Sequence, residues 1–489
     1  MRKNIKLLLL VSLTFVACNN DDSSDNPAEV PVVPGSAVFT KYIALGDSFA
    51  AGYSDNALFK KGQEGSYTNI MAQQFVAAGG GAFTTPFMND NLGGLLLGGN
   101  VVAATRLYFN GQAPVNVAGK PTTEVTTHLT GTFGNLGVPG AKSFHLIASG
   151  YGNVAGVASG AANPYFARFA SSPSTTILAD AVVQDPTFFS LFIGGNDVLA
   201  YATSGGIGKD QTGNMNPATY GSNDITDPAV FASVYSGLVT SLTAKGAKGV
   251  VANLPYITTL PYFTTVPFNP APLTAALATQ LNAGYAVYNG GLKQMVANKL
   301  LTQEEATRRT VNFIAGNNAV VVVDSYLTNL MAYGLPSYRQ ATKEDLIILS
   351  ARTFIGTTVG GDAAKVNGLS VPLADNWVLT KDEIAEVKKA TDAYNVTIKR
   401  IADEKGLAFV DTGAVMTQLS SGGVRFGNFT MSSTYVTGGA FSLDGVHPSA
   451  RGYGLIANIF IDAINAKYGS TLRHVDLGIY PIQYPATIQ

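Results

Sequence analysis

Paired cysteines are missing from this sequence: Cys18 is the only cysteine in 489 residues. No intramolecular disulfide can form, and no cysteine pair is left for a structural zinc site. Stability therefore falls to an ordinary core, which a chain of this length can bury. Charge is scarce as well, at 13% Asp, Glu, Lys and Arg where a soluble domain carries about a quarter. The 31 Lys and Arg nearly balance the 32 Asp and Glu, and no basic run follows the first few residues. That excludes a nucleic-acid footprint. With four histidines and no H-E-x-x-H spacing, a zinc-protease helix is excluded too. No pattern in the chain asks for a metal or an organic cofactor.

What is present begins at the N-terminus. Arg2, Lys3 and Lys6 flank the start of an apolar stretch, Leu7 to Ala17. It falls short of the roughly twenty residues that a bilayer core requires and reads as an export signal. Phe15-Val16-Ala17-Cys18 resembles a bacterial lipobox. The resemblance implies removal of residues 1–17, acylation of Cys18, and anchoring to the outer membrane on its periplasmic or cell-surface face. Behind it, Asn19-Asn20-Asp21-Asp22-Ser23-Ser24-Asp25-Asn26-Pro27 with Pro31 and Pro34 is polar and acidic. This composition predicts a disordered tether over 18–38. Acidic residues just behind the cysteine are similar to the surface-export signal of Bacteroidota lipoproteins.

From Phe39 the pattern turns globular. Tyr42-Ile43-Ala44-Leu45, ending at Gly46, reads as a buried parallel strand, and similar apolar runs recur at 188–193, 250–254, 320–323 and 407–410. Helices lie between them. Asp227-Pro228 supplies a cap with proline in the first turn, and Thr380 to Glu383 has the T-x-x-E capping-box spacing ahead of a helix to about Lys405. After Pro448-Ser449, an apolar stripe of Leu455, Ile456, Ile459, Phe460 and Ile464 predicts a last helix. Strands alternating with helices imply an α/β fold, a three-layer sandwich around a central parallel sheet with its site beyond the carboxyl ends of the strands. Three stretches, about 56–130, 200–226 and 256–379, exceed what such a sandwich needs. Segments that long carry function or form a subdomain, here a possible cap.

Four separated blocks carry chemistry. Gly46-Asp47-Ser48-Phe49-Ala50 puts a serine at a strand-to-helix turn, with its hydroxyl exposed. Asn135-Leu136-Gly137-Val138-Pro139-Gly140 offers a glycine whose N–H can approach an oxyanion. Gly194-Gly195-Asn196-Asp197 offers a side-chain amide for the same charge. Asp444-Gly445-Val446-His447-Pro448 sets an aspartate three residues before a histidine, where it can fix the ring's tautomer. Alone, each block is an ordinary turn. In this order and spacing, from about Phe39 to Tyr468, they resemble the SGNH hydrolases, the GDSL lipase/acylhydrolase family.

That resemblance implies a flavodoxin-like sandwich over 39–470, with 471–489 left as a C-terminal tail. It implies Ser48 as nucleophile, His447 as base and Asp444 as the residue orienting it. The oxyanion donors would be the N–H groups of Ser48 and Gly137 and the side chain of Asn196. Phe49 replaces the family's leucine and is expected to face the core. Asp47 and Asp197 are expected to brace their turns. The implied activity is hydrolysis of a small-molecule, lipid or glycan carboxylic ester through an acyl-enzyme, with no metal or cofactor. The alternative is a catalytically silent surface lipoprotein that keeps the fold and only binds lipid or glycan.

Rival motifs fail. No serine has glycine on both sides at the α/β-hydrolase elbow spacing. Gly205-Gly206-Ile207-Gly208-Lys209 lacks the first glycine of a phosphate loop, since Thr203 stands there, and Asp210 follows the lysine. The anchoring expectation is directly testable. Cys18→Ala should move the protein from the membrane fraction to the soluble one, and unchanged fractionation would rule out lipidation at this residue.

Overall fold

A computed structural model describes residues 31–488; Cys18, the signal segment and the tether up to residue 30 lie outside the described residues. The centre is a five-stranded parallel sheet. Its strands are β1 (Tyr42–Gly46), β2 (Asn135–Gly137), β3 (Phe188–Phe192), β4 (Lys248–Ala252) and β5 (Ala408–Val410). Their spatial order is β5-β4-β3-β1-β2. The register aligns Ala44 with both Asn135 and Ser190, and Val250 with both Ser190 and Ala408. β1 and β3 are buried along their whole length, as continuous apolar runs require. Their one buried hydroxyl pair is satisfied, since Tyr42 Oη and Ser190 Oγ share a 2.7 Å hydrogen bond.

One expected strand does not join this sheet. Val321–Val323 pairs antiparallel with Tyr338–Gln340 inside the third insertion. Its place is taken by β2, where Leu136 is the only large apolar residue among three, so no hydrophobic run marks it.

The helices that matter for the site are α1 (Ser48–Ala51), α2 (Tyr67–Val76), α3 (Asn196–Thr203) and α4 (Pro228–Thr243), followed by α5 (Ala275–Ala297), α6 (Lys381–Lys405), α7 (Thr412–Ser421) and α8 (Ala450–Tyr468). The start signals hold. Asp227 Oδ1 accepts from the N–H groups of Ala229 and Val230, and Glu383 Oε2 accepts from the Thr380 N–H at 2.6 Å. α2 and α8 pack together in one layer, with Tyr67 and Phe460 rings 5.0 Å apart. α6 packs on α3 and α4 in the other, where Phe231 and Tyr394 stack at 4.2 Å. Among the described residues no helix is long and apolar enough to cross a membrane.

The insertions need redrawing. The first was expected over 56–130, yet α2 lies within it and sends Tyr67, Ile70, Met71 and Phe75 into the main core. The added part begins after α2 and holds two hairpins, Leu95–Ala103 and Leu107–Asn116. The third has its own core under α5, built on Tyr285, Tyr288, Leu292, Met295 and Val321. Residues 31–38 and 471–488 are also better docked than a tether and a tail would be. Ser36 N–H donates to Tyr468 O, and Arg106 Nη2 donates to Pro485 O and Ala486 O.

Candidate active site

In this strand order the chain leaves β1 first for β2 on one side and later for β3 on the other. The crevice between the carboxyl ends of β1 and β3 is where such sheets bind ligands. Ser48 follows β1 and Asn196 follows β3, so the sheet's connectivity alone brings them together. Ser48 is the first residue of α1, whose cap is Asp47: its Oδ1 accepts from the Phe49 N–H at 3.0 Å. His447 and Asp444 come from the loop before α8.

The loop closes on the serine. His447 Nε2 lies 2.8 Å from Ser48 Oγ, and His447 Nδ1 lies 2.9 Å from Asp444 Oδ2. Asp444 Oδ1 also accepts from the backbone N–H of Val446 and of His447, each at 2.8 Å, and Oδ2 from that of Asn56 at 2.9 Å. Burial alone would raise this carboxyl. The His447 charge and these hydrogen bonds outweigh it and hold Asp444 down at about 2. An ionised acid beneath the ring fixes the proton on Nδ1 and leaves Nε2 to accept from the serine hydroxyl.

One of the three expected oxyanion donors is already engaged. Asn196 Nδ2 donates to Ala141 O at 3.0 Å and keeps a second amide hydrogen. Gly137 is not available: its N–H donates to Asn135 Oδ1 at 2.9 Å. Its glycine identity answers a packing need instead, because a Cβ there would sit 2.3 Å from Ala51 N. Three residues on, exposed Gly140 turns the chain at φ +80°, beside the Ala141 carbonyl that Asn196 holds. No protein acceptor takes the Gly140 N–H among the described residues.

Asp197 does not brace its own turn as expected; it reaches across to the segment after Gly140, accepting from Ser143 N at 2.8 Å and Ser143 Oγ at 2.7 Å. Phe49 does not simply face the core. It is half-buried, and its ring centroid is 5.5 Å from that of His447.

Sequence reasoning missed the segment 53–56, which clasps the acid–base loop. Tyr53 lays its ring 4.6 Å from the imidazole, and Ser54 Oγ donates to Pro448 O. Asp55 accepts from Leu443 N–H at 2.9 Å while its own N–H donates to Ser442 Oγ. Asp55 and Asn56 both have left-handed backbones, φ 51° and 62°, a strain typical of functional turns. The consecutive Asp-Asn, the residue types that best tolerate this region, was the available signal. The third insertion touches the same loop, with Tyr262 N–H donating to Gly445 O.

The chain matches no protein-family model and no curated protein by sequence. Among solved structures it is similar to an acetylxylan esterase from Geobacillus stearothermophilus, at 12% identity and a TM-score of 0.31, over 88% of this chain and 96% of that one. It is also similar to an extracellular lipase from Streptomyces rimosus, at 13% identity and a TM-score of 0.29, over 88% of this chain and 99% of the lipase. For phospholipase A1 from Streptomyces albidoflavus NA297 the values are 13%, 0.29, 88% and 100%. Overlaps this loose carry no argument about what the chain does; the geometry of the site has to.

The buried carboxyls make a pH prediction. Burial, offset in part by the Leu443 N–H and raised further by the Asp444 charge, lifts Asp55 from 3.8 to about 7. The folded state thus holds a proton that the unfolded chain releases. The resulting stability is complete below about 3.8 and is lost as pH climbs through about 7. Asp55→Asn, neutral at every pH, should melt higher than wild type at pH 8, by at most about 4 kcal/mol, and match it near pH 4. Equal melting curves at pH 8 would contradict a proton on Asp55. Asp444 acts in the opposite sense: its contribution is present above about 3.8 and lost as pH falls through about 2.

Proposed function

We propose that this protein is a serine ester hydrolase of the SGNH type, acting on carboxylic esters through an acyl-enzyme. The observation that carries the reading is the continuous relay Asp444–His447–Ser48, with 2.9 Å and 2.8 Å contacts, opening onto the switch point of the sheet. Ser48 Oγ attacks the ester carbonyl carbon while its proton passes to His447 Nε2. The tetrahedral oxygen gains negative charge, which Asn196 Nδ2 and the N–H groups of Ser48 and Gly140 receive. Collapse expels the alcohol, which takes the proton from His447. Water then gives a proton to the same nitrogen and attacks the acyl carbon, releasing the acid and restoring Ser48. Asp444 stays ionised throughout and stabilises the imidazolium. Gly140 replaces Gly137 as donor in this scheme because the Gly137 N–H is already bonded.

The export signal and Cys18 support a location on the outer membrane, with the lipid on Cys18 as the anchor. The near-balance of charge offers nucleic acid nothing.

A fluorophosphonate probe tests the nucleophile: wild type should be labelled at Ser48, and a folded protein that resists labelling and hydrolyses no ester ends this reading. The mutants should fall in an order. Ser48→Ala and His447→Ala each abolish nearly all turnover, and the double mutant loses little more, since the two act as one unit. Asn196→Ala keeps nucleophile and base and loses one donor, costing about 10²–10³ in kcat, roughly 3–4 kcal/mol, with KM little changed. Asp444→Ala falls between these. Circular dichroism checks folding first. A folded Asn196→Ala with wild-type kcat takes that residue out of the oxyanion site.

A further inference from the structure

Between β2 and the first turn beyond it, the backbone N–H groups of 138–143 are tied down almost one by one. Val138 N–H donates to Gly46 O at 3.1 Å, two residues before Ser48. Ala141 N–H donates to Val138 O at 3.1 Å, Lys142 N–H to His145 Nδ1 at 3.0 Å, and Ser143 N–H to Asp197 Oδ2 at 2.8 Å. Pro139 has no N–H to give. Among the described residues, Gly140 is left with the one donor of this segment that no protein acceptor takes.

A free N–H stabilises charge only if its direction is fixed. The peptide unit joining Pro139 to Gly140 is planar and trans, so the Gly140 N–H points opposite to the Pro139 carbonyl. That carbonyl accepts from Asn163 Nδ2 at 2.8 Å. Asn163 is buried, and all four hydrogen-bonding positions of its amide are filled. Oδ1 accepts from the N–H groups of Tyr165 at 2.9 Å and Phe166 at 3.2 Å, and Nδ2 also donates to Tyr151 Oη at 3.1 Å. The Tyr151 ring in turn stacks on His145, 4.3 Å away, which holds Lys142.

We propose that Asn163 is a positioning residue for the oxyanion site: by holding the Pro139 carbonyl it aims the Gly140 N–H at the developing charge. The proposal rests on the serine-hydrolase reading. Turning that peptide unit away would break the bond and leave a buried amide hydrogen unpaired. Donation to the carbonyl also polarises the unit and makes its N–H a stronger donor. The two ends of the amide have separable tasks. Oδ1 shapes the turn at 163–166, whereas only Nδ2 reaches the oxyanion loop.

Asn163→Ala and Asn163→Asp separate these tasks. The aspartate keeps the acceptor for Tyr165 and Phe166 and takes away the donor to Pro139. Turnover is expressed per serine labelled when a fluorophosphonate reaction is taken to completion, so a partly folded sample does not count as a slow one. Both variants should lose about tenfold to a hundredfold in kcat, less than removing a donor outright, with KM little changed. Affinity for a trifluoromethyl ketone, whose adduct with Ser48 carries the same oxyanion, should fall by a similar factor. Wild-type kcat in Asn163→Asp beside a slow Asn163→Ala would mean that the turn matters and the bond to Pro139 does not. That result overturns the proposal, as does a raised KM with kcat unchanged, or unchanged ketone affinity. In each case the hydrolase reading stands. A wild type that neither labels nor turns over removes both.

Discussion

The hydrogen bond from Ser48 to His447 joins residues 399 positions apart. Closing so long a loop costs entropy that grows only slowly with length, but a single hydrogen bond contributes about 1 kcal/mol and cannot meet even that. The contact therefore depends on everything that brings the first strand and the last helix together. The sheet does part of it, with β1 at the switch point and α8 packed across β5 and α2. The segment 53–56 does the rest, leaving α1 and gripping the 442–448 loop through Ser54, Asp55 and Asn56. Tyr453 Oη adds a bond back to Tyr53 O at 2.6 Å. Ser48 and the Asp444–His447 pair are thus fastened to each other directly, whatever the insertions between them do.

Those insertions tell how far a fold of this size can be extended. The stretch after β4 forms a second core and fixes it with buried arginines. Arg309 donates to the carbonyls of Thr328 and Pro336, and Arg339 binds Asp345 in a two-pronged pair and Asp324 besides. Such pairs specify arrangement more than they add stability. Ahead of that second core, Tyr262 packs on the main core and its N–H donates to Gly445 O, so the stretch after β4 touches the loop that carries Asp444 and His447.

Much of this was legible in the residues. Four of the five central strands announced themselves as apolar runs, and Asp227-Pro228 and Thr380-x-x-Glu383 marked their helices, because caps and buried strands are local signals. The meeting of Ser48, Asp444 and His447, and the place of Asn196 after β3, were legible because strand ends and helix starts are marked by local turn residues. What escaped was non-local or made of backbone. β2 is an edge strand too short for a pattern. Val321–Val323 looks like a central strand, yet it pairs outside the sheet, with Val322 in the main core and Val321 in the insertion's own. The engagement of the Gly137 N–H by Asn135, and the Asn56 N–H on Asp444, involve groups that every residue possesses, so no residue type could reveal them.

The direction of the strands has one more consequence. Lys248, first residue of β4, donates through Nζ to Ser36 O, so the N-terminal segment crosses the molecule at the strands' amino ends. Ser48 sits at their carboxyl ends, on the opposite pole. The chain thus enters the described fold at the pole farthest from the Ser48–His447 contact, and the strands themselves separate its point of entry from that crevice.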